Sequence, residues 1–254
     1  MTDYYRDKAG LVTGAGSGIG KAVAVAFAAA GASVLVADIN EEAGLNTVAQ
    51  IRDAGGEARF QACDVSRAED VAAMVQTLVD HHGKLDFAVN NAAVELAEGP
   101  FTEADESTFD RLMAVNVKGV FLCLQHEARQ MVAQGGGAIV NIASVNSYRP
   151  QYHQTIYTST KHAVLGMTRN AAIEAAPLGV RINAICPGAI ETPMLEASLR
   201  QVPMPREDVI AMMSLNGRFG RPDEIARAAL WLCSDQASFT YGHALAVDGG
   251  YLAR

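Results

Sequence analysis

Seven short apolar runs punctuate the chain, at residues 9–12, 33–37, 58–62, 85–89, 138–142, 180–185 and 244–247. Each is of strand length. Between them lie longer stretches whose apolar residues recur at three- and four-residue intervals, at 19–30, 41–54, 68–82, 106–133, 155–176 and 223–233. The alternation of the two periods predicts strands separated by helices. Strands in that arrangement pair in parallel, and the helices must cover both faces of the sheet. The expectation is an α/β fold, a doubly wound seven-stranded parallel sheet with helices on both faces, filling residues 1–254 as one domain with no linker. Local chemistry marks several boundaries. Pro222 followed by Asp223 and Glu224 suits the first turn of a helix. Gly31 suits the end of the first helix, and Gly135-Gly136-Gly137 a turn into the next strand. The segment 188–218 holds Pro193, Pro203 and Pro205 among several methionines and shows little periodicity, so a mobile flap is predicted there.

Half of the 254 residues are hydrophobic, enough for a sizeable core. The net charge of −8 argues against nucleic acid and anionic membranes as partners, because both call for basic patches. Cys63, Cys123, Cys186 and Cys233 are far apart and form no CxxC pair. Buried free thiols in a reducing compartment are expected, with no metal site. The first eight residues are polar, without the apolar core of a signal peptide. The mostly apolar stretch 22–37 is split by Gly31 and Ser33 and is too short to span a bilayer. A cytoplasmic location follows as the default expectation.

One of the turns carries chemistry. Thr13-Gly14-Ala15-Gly16-Ser17-Gly18-Ile19-Gly20 follows the first predicted strand and opens the first predicted helix. A glycine-rich turn lets backbone approach a diphosphate, and a helix start offers N–H groups and partial positive charge. About 20 residues on, the second apolar run ends in Asp38, placed to accept hydrogen bonds from both hydroxyls of an adenosine ribose. The pattern reads as a dinucleotide site, and the carboxylate, which would repel a 2′-phosphate, favours NAD(H).

A second cluster lies downstream. Tyr157 and Lys161 are four residues apart in a helical stretch and share a face. Ser144 follows the fifth predicted strand, and ligands in open α/β sheets bind at such strand ends. At this point the chain resembles the short-chain dehydrogenase/reductase family over essentially its whole length. The residues that carry the likeness are the glycine turn, Asn90-Asn91-Ala92-Ala93, Asn116, Ser144, Tyr157-Thr158-Ser159-Thr160-Lys161 and Pro187-Gly188. Ala93 departs from the family's usual glycine, and Gly10 is expected to weaken the first strand.

The resemblance implies a Rossmann fold and hydride transfer between a secondary alcohol, or the matching ketone, and a nicotinamide. A 3-oxoacyl-type reductase and a non-catalytic NAD-binding protein are the alternatives. Tyr157 would be general base and acid. Ser144 would position the substrate oxygen. Lys161 would bind the nicotinamide ribose and favour the phenolate. Asn116 would hold a water linking Lys161 to solvent. Gly14, Ser17, Gly18 and Ile19 would hold the diphosphate, Asp64 and Val65 the adenine, Asn90 and Ala92 the adenosine ribose and cleft floor. Pro187, Ile190 and Thr192 would hold the nicotinamide end. Bringing a phenol from its usual value near 10 to about 7 requires roughly 4 kcal/mol. One positive charge about 5 Å away, at an effective dielectric near 20, supplies roughly 3 kcal/mol. Lys161 therefore needs help from the positive ring of NAD⁺. The substrate walls are less clearly written: Asn146, His153 and Met194 are the first candidates, with Val94, Glu95, Leu96, Gln151, Leu195, Met204, Met212 and Met213 behind them. The likeness also implies a homotetramer, with 106–133, 155–176 and the apolar stretch 239–252 as candidate interfaces.

Overall fold

The computed structural model describes residues 4–96, 99–201 and 203–254. Seven strands form one parallel sheet: β1 (Ala9–Thr13), β2 (Ser33–Asp38), β3 (Glu57–Ala62), β4 (Phe87–Asn90), β5 (Gly137–Ile142), β6 (Val180–Pro187) and β7 (Ala244–Val247). Their spatial order is β3-β2-β1-β4-β5-β6-β7. The order reverses between β1 and β4, which opens a crevice beyond their C-terminal ends.

The helices are α1 (Gly18–Ala29), α2 (Glu41–Asp53), α3 (Ala68–His82), α4 (Glu106–Met113), α5 (Val120–Gln134), α6 (Thr155–Ala175), α7 (Pro193–Leu199), α8 (Arg206–Met213) and α9 (Pro222–Cys233). Period-two alternation divides the sheet's side chains between two cores. Leu11, Leu35, Ile139 and Ile182 face α3, α5 and α6. Val12, Val34, Val140 and Ile185 face α1, α2 and α9. The central strands β1, β4 and β6 are buried along their whole length because both faces of the sheet are covered there, whereas the edge strand β3 carries Glu57, Arg59 and Gln61.

The structure departs from the sequence pattern in three places. The single helix expected over 106–133 is broken by a π-helical segment, Ala114–Gly119, which separates α4 from α5. Apolar spacing hardly registers the one extra residue that such a turn inserts. The segment 188–218 carries the short helices α7 and α8; α7 starts at Pro193 behind Thr192, whose hydroxyl accepts from the Leu195 N–H at 3.2 Å. Gly10 stands inside β1. A Cβ there would lie 2.5 Å from the Phe87 ring, so the glycine admits that ring, which stacks on Phe27 at 4.0 Å between centroids.

Candidate active site

The crevice between the ends of β1 and β4 opens into a cleft of about 420 Å³. Gly14, Ser17, Gly18 and Ile19 line it at the start of α1. The Ser17 side chain does not cap this helix, so the first-turn N–H groups face the cleft without that competitor for an anion. A Cβ on Gly20 would sit 2.2 Å from the Gly14 carbonyl oxygen, so glycine at 20 lets the helix close on the turn. At the end of β2, Asp38 accepts from the Gly16 N–H and the Asn40 N–H, both at 2.8 Å. The acid and the glycine turn thus fix one another. Asp64, Val65, Ala92, Pro187, Ile190 and Thr192 also line the cleft. Free donors at a helix start and an acid at the end of β2 fit a dinucleotide.

Two residues assigned to the cofactor and the proton path stand elsewhere. Asn90 lies outside the cleft lining and is buried. As the last residue of β4 it points into the sheet's α5 side, where its amide donates to Glu127 at 2.9 Å and Asn141 at 3.0 Å. The next residue, Asn91, lies past the strand and turns toward the glycine turn. It lines the cleft and donates to the Thr13 and Gly14 carbonyls, both at 3.0 Å. Thr13 completes the clamp by accepting from the Asn91 and Ala92 N–H groups. Asn91 is a site residue that sequence reasoning passed over within its own motif. Asn116 is also fully buried. Its side chain accepts from the Val94 N–H and donates to the Val94 carbonyl, both at 2.8 Å, and donates to Thr160 at 3.3 Å. The amide thus holds the 94 backbone and Thr160, and Asn116 stands outside the cleft lining.

Ser144, Tyr157 and Lys161 meet in the cleft. Ser144 follows β5 and accepts from the Asn146 N–H at 3.1 Å. It hydrogen-bonds Tyr157. One turn along α6, Lys161 donates to the Ile142 carbonyl at 3.1 Å, and its Nζ is 5.5 Å from the Tyr157 ring centroid. Burial dominates both groups. It raises the Tyr157 phenol, with the Glu95 charge adding to the rise and the Ser144 bond opposing it. It brings Lys161 down to about 8. The protein alone therefore holds the phenol protonated, and a further positive charge in the cleft must draw the proton off.

On the substrate side, Asn146 and Met194 line the cleft, as do Val94, Glu95, Gln151, Leu195 and Met213. His153 does not: it is exposed at φ 57 and packs on Tyr152. Its neighbour Gln154, on which no sequence signal falls, takes the inward position. Leu96, Met204 and Met212 are exposed and outside the lining.

A family model described as "Enoyl-(Acyl carrier protein) reductase" matches residues 14–252. A short chain dehydrogenase/reductase, astE, of Aspergillus oryzae is 42% identical over 96% of this chain and 94% of its own. A 2,5-dichloro-2,5-cyclohexadiene-1,4-diol dehydrogenase of Sphingobium indicum is 43% identical over 96% of each. Among solved structures, levodione reductase superposes with a TM-score of 0.94 at 37% identity, over 98% of this chain and 99% of that one. A 7α-hydroxysteroid dehydrogenase complexed with NADH and 7-oxo glycochenodeoxycholic acid gives 0.89 at 37% identity, over 96% and 94%. With likeness of this depth across nearly its full length, and with the seven-stranded order of its sheet, the chain belongs to the short-chain dehydrogenase/reductase family.

Proposed function

We propose that this chain is an NAD(H)-dependent oxidoreductase that interconverts a ring-borne secondary alcohol and its ketone. The observation that carries the reading is the convergence of Ser144, Tyr157 and Lys161 in the cleft that also holds the glycine turn and Asp38. The relatives add the ring: one is named for a cyclohexadiene diol, and one solved structure holds NADH beside a 7-oxo steroid. A bound nicotinamide dinucleotide supplies the hydride acceptor or donor.

In oxidation, Tyr157 takes the hydroxyl proton of the alcohol, and in reduction it returns a proton to the carbonyl oxygen. Ser144 holds that oxygen beside the phenol. Lys161 stabilises the phenolate and is held from behind by the Ile142 carbonyl. The proton Tyr157 gains would leave past Lys161. Asp38, fixed by two backbone N–H groups, would accept from the adenosine ribose hydroxyls.

The test is NADH formation, followed by its near-ultraviolet absorbance, with NAD⁺ and a panel of cyclic alcohols, open-chain secondary alcohols, sugars and 3-hydroxyacyl esters. Turnover of ring alcohols that is lost in Tyr157→Phe, with NADH binding intact, is the expected result. Turnover of acyl esters alone moves the chain to the reductase reading. NADH binding with no turnover anywhere overturns the catalytic reading.

A further inference from the structure

Among the described residues two cations line the cleft, Lys161 and Arg111. Lys161 stands beside Tyr157. Arg111, on α4, has no part in the site described above, and its guanidinium makes no hydrogen bond, ion pair or ring contact among the described residues. It lies near enough to Asp64 to act on it electrostatically. Asp64, however, is claimed within its own loop, where one carboxylate oxygen accepts from the Ser66 N–H at 2.9 Å and from the Ser66 hydroxyl at 2.6 Å. A planar cation with five donors is thus left on the cleft wall without a protein partner.

Sheet order says which part of a dinucleotide Arg111 would meet. Ser144 follows β5, on one side of the β1–β4 crevice. Asp38 ends β2 and Asp64 follows β3, on the other side. A diphosphate belongs at the start of α1, between the two, and the ribose beyond it belongs on Asp38. The base on that ribose then falls past Asp38, away from Ser144. Asp64, Val65, Arg111 and Val115 line the cleft there. Gly119 seats the π-helical segment against this end, since a Cβ on it would lie 2.7 Å from a Val65 methyl group. Two buried, branched apolar side chains and one flat cation make a slot for a flat, neutral ring. A guanidinium stacks on aromatic faces and keeps its edges hydrated. A further phosphate suits the slot less, because Asp38 and Asp64 already place two carboxylates at this end.

We propose that Arg111 is a cofactor-binding residue, its guanidinium closing, with Val65 and Val115, the slot for the adenine ring. The proposal rests on the dinucleotide reading of the cleft and adds to it a residue of α4.

The experiment measures dissociation constants for NADH, by fluorescence titration, and for ADP-ribose, by displacement of NADH, in the wild type, Arg111→Met, Arg111→Lys and Arg111→Tyr. Arg111 is exposed, so none of the replacements disturbs the core. Arg111→Met keeps an apolar stem and removes plane and charge. Both ligands should then bind about tenfold more weakly, the loss of one desolvated cation–π contact. Arg111→Lys keeps the charge without the plane and should stay near the Met variant. Arg111→Tyr keeps a plane without the charge and should recover most of the affinity. Unchanged affinity in Arg111→Met overturns the contact. Wild-type affinity in Arg111→Lys, or Arg111→Tyr as weak as Arg111→Met, assigns the residue to charge instead of the ring and overturns the proposal as well. In each of these cases a wild type that binds NADH leaves the dinucleotide reading standing. A wild type that binds neither ligand overturns both.

Discussion

At the scale of residues, function here turns on a few groups whose charge the fold sets. Tyr157 is buried beside Glu95, and both influences hold its proton on. Oxidation needs the phenolate, so its rate should rise with pH through the Tyr157 titration in the cofactor-bound enzyme. The groups acting on that titration are Glu95, which raises it, Ser144, which lowers it, and the neighbouring Lys161. Glu95→Gln removes one negative charge and should move the rising limb to lower pH; a pH profile of kcat checks the sign. At the other end of the cleft stands Asp38, with no Lys or Arg in the glycine turn. Asp38→Ser should weaken NADH and relax discrimination against NADPH by tenfold or more, on the order of one charged contact; fluorescence titration with both dinucleotides measures it. The types of these residues are legible in the sequence. Their directions are less so: Asn90 and Asn91 differ only in standing on either side of a strand end, and that one step sends the first into the core and the second to the glycine turn.

Among the elements, α5 carries an anomaly. Its buried stripe runs Val120, Cys123, Leu124, Glu127 and Met131, a carboxylate in an apolar series. The stripe was readable from spacing alone, and an acid on it is a signal that pattern reading passed over. Glu127 is pushed up to about 8 by burial, against the opposing bond from Asn90. One oxygen of Glu127 and the Asn90 side-chain oxygen have no hydrogen-bond partner among the described residues. Both are acceptors, so a proton on Glu127 gives the pair the donor it lacks. The linkage has a definite sign. Glu127 keeps its proton in the folded chain up to about pH 8 and gives it up near its ordinary value of 4.5 when unfolded. Its contribution is full below 4.5 and is lost as pH rises to 8, at about 1.4 kcal/mol per unit. Glu127→Gln keeps the shape and supplies a permanent donor. The variant should be the more stable one at pH 8, with Tm much less dependent on pH across this window; parallel Tm–pH curves for the two proteins contradict it. The π-helical segment is the element the sequence concealed, because it keeps helical spacing on both sides while shifting the register between them.

For the whole molecule, several large apolar side chains stay outside: Phe239 is 99% exposed, Ile173 74% and Phe121 49%. They lie in or beside the segments the family likeness nominates as interfaces. Association into a homotetramer is the expected outcome, and light scattering should return about four times the 26.8 kDa chain mass; a monomer at micromolar concentration contradicts it. Among the described residues no helix is long and apolar enough to cross a membrane. The sequence by itself determined the seven strands, the order of strand and helix, the glycine turn with its acid, and the Ser144, Tyr157, Lys161 set, because each is a local pattern that a period, a spacing or a turn residue records. Tertiary structure decided what no local pattern holds. Strand order places β1 beside β4 and so makes the crevice. The turn into α6 faces Gln154 inward and His153 outward. Burial from several elements at once sets the charge states of Tyr157, Lys161 and Glu127. In the cleft wall Gln151 donates to Asn146, Asn146 to Gln154 and Gln154 to Glu95; these bonds form only because the 94–95 loop, the segment after β5 and α6 converge, and convergence of distant segments is a property of the fold.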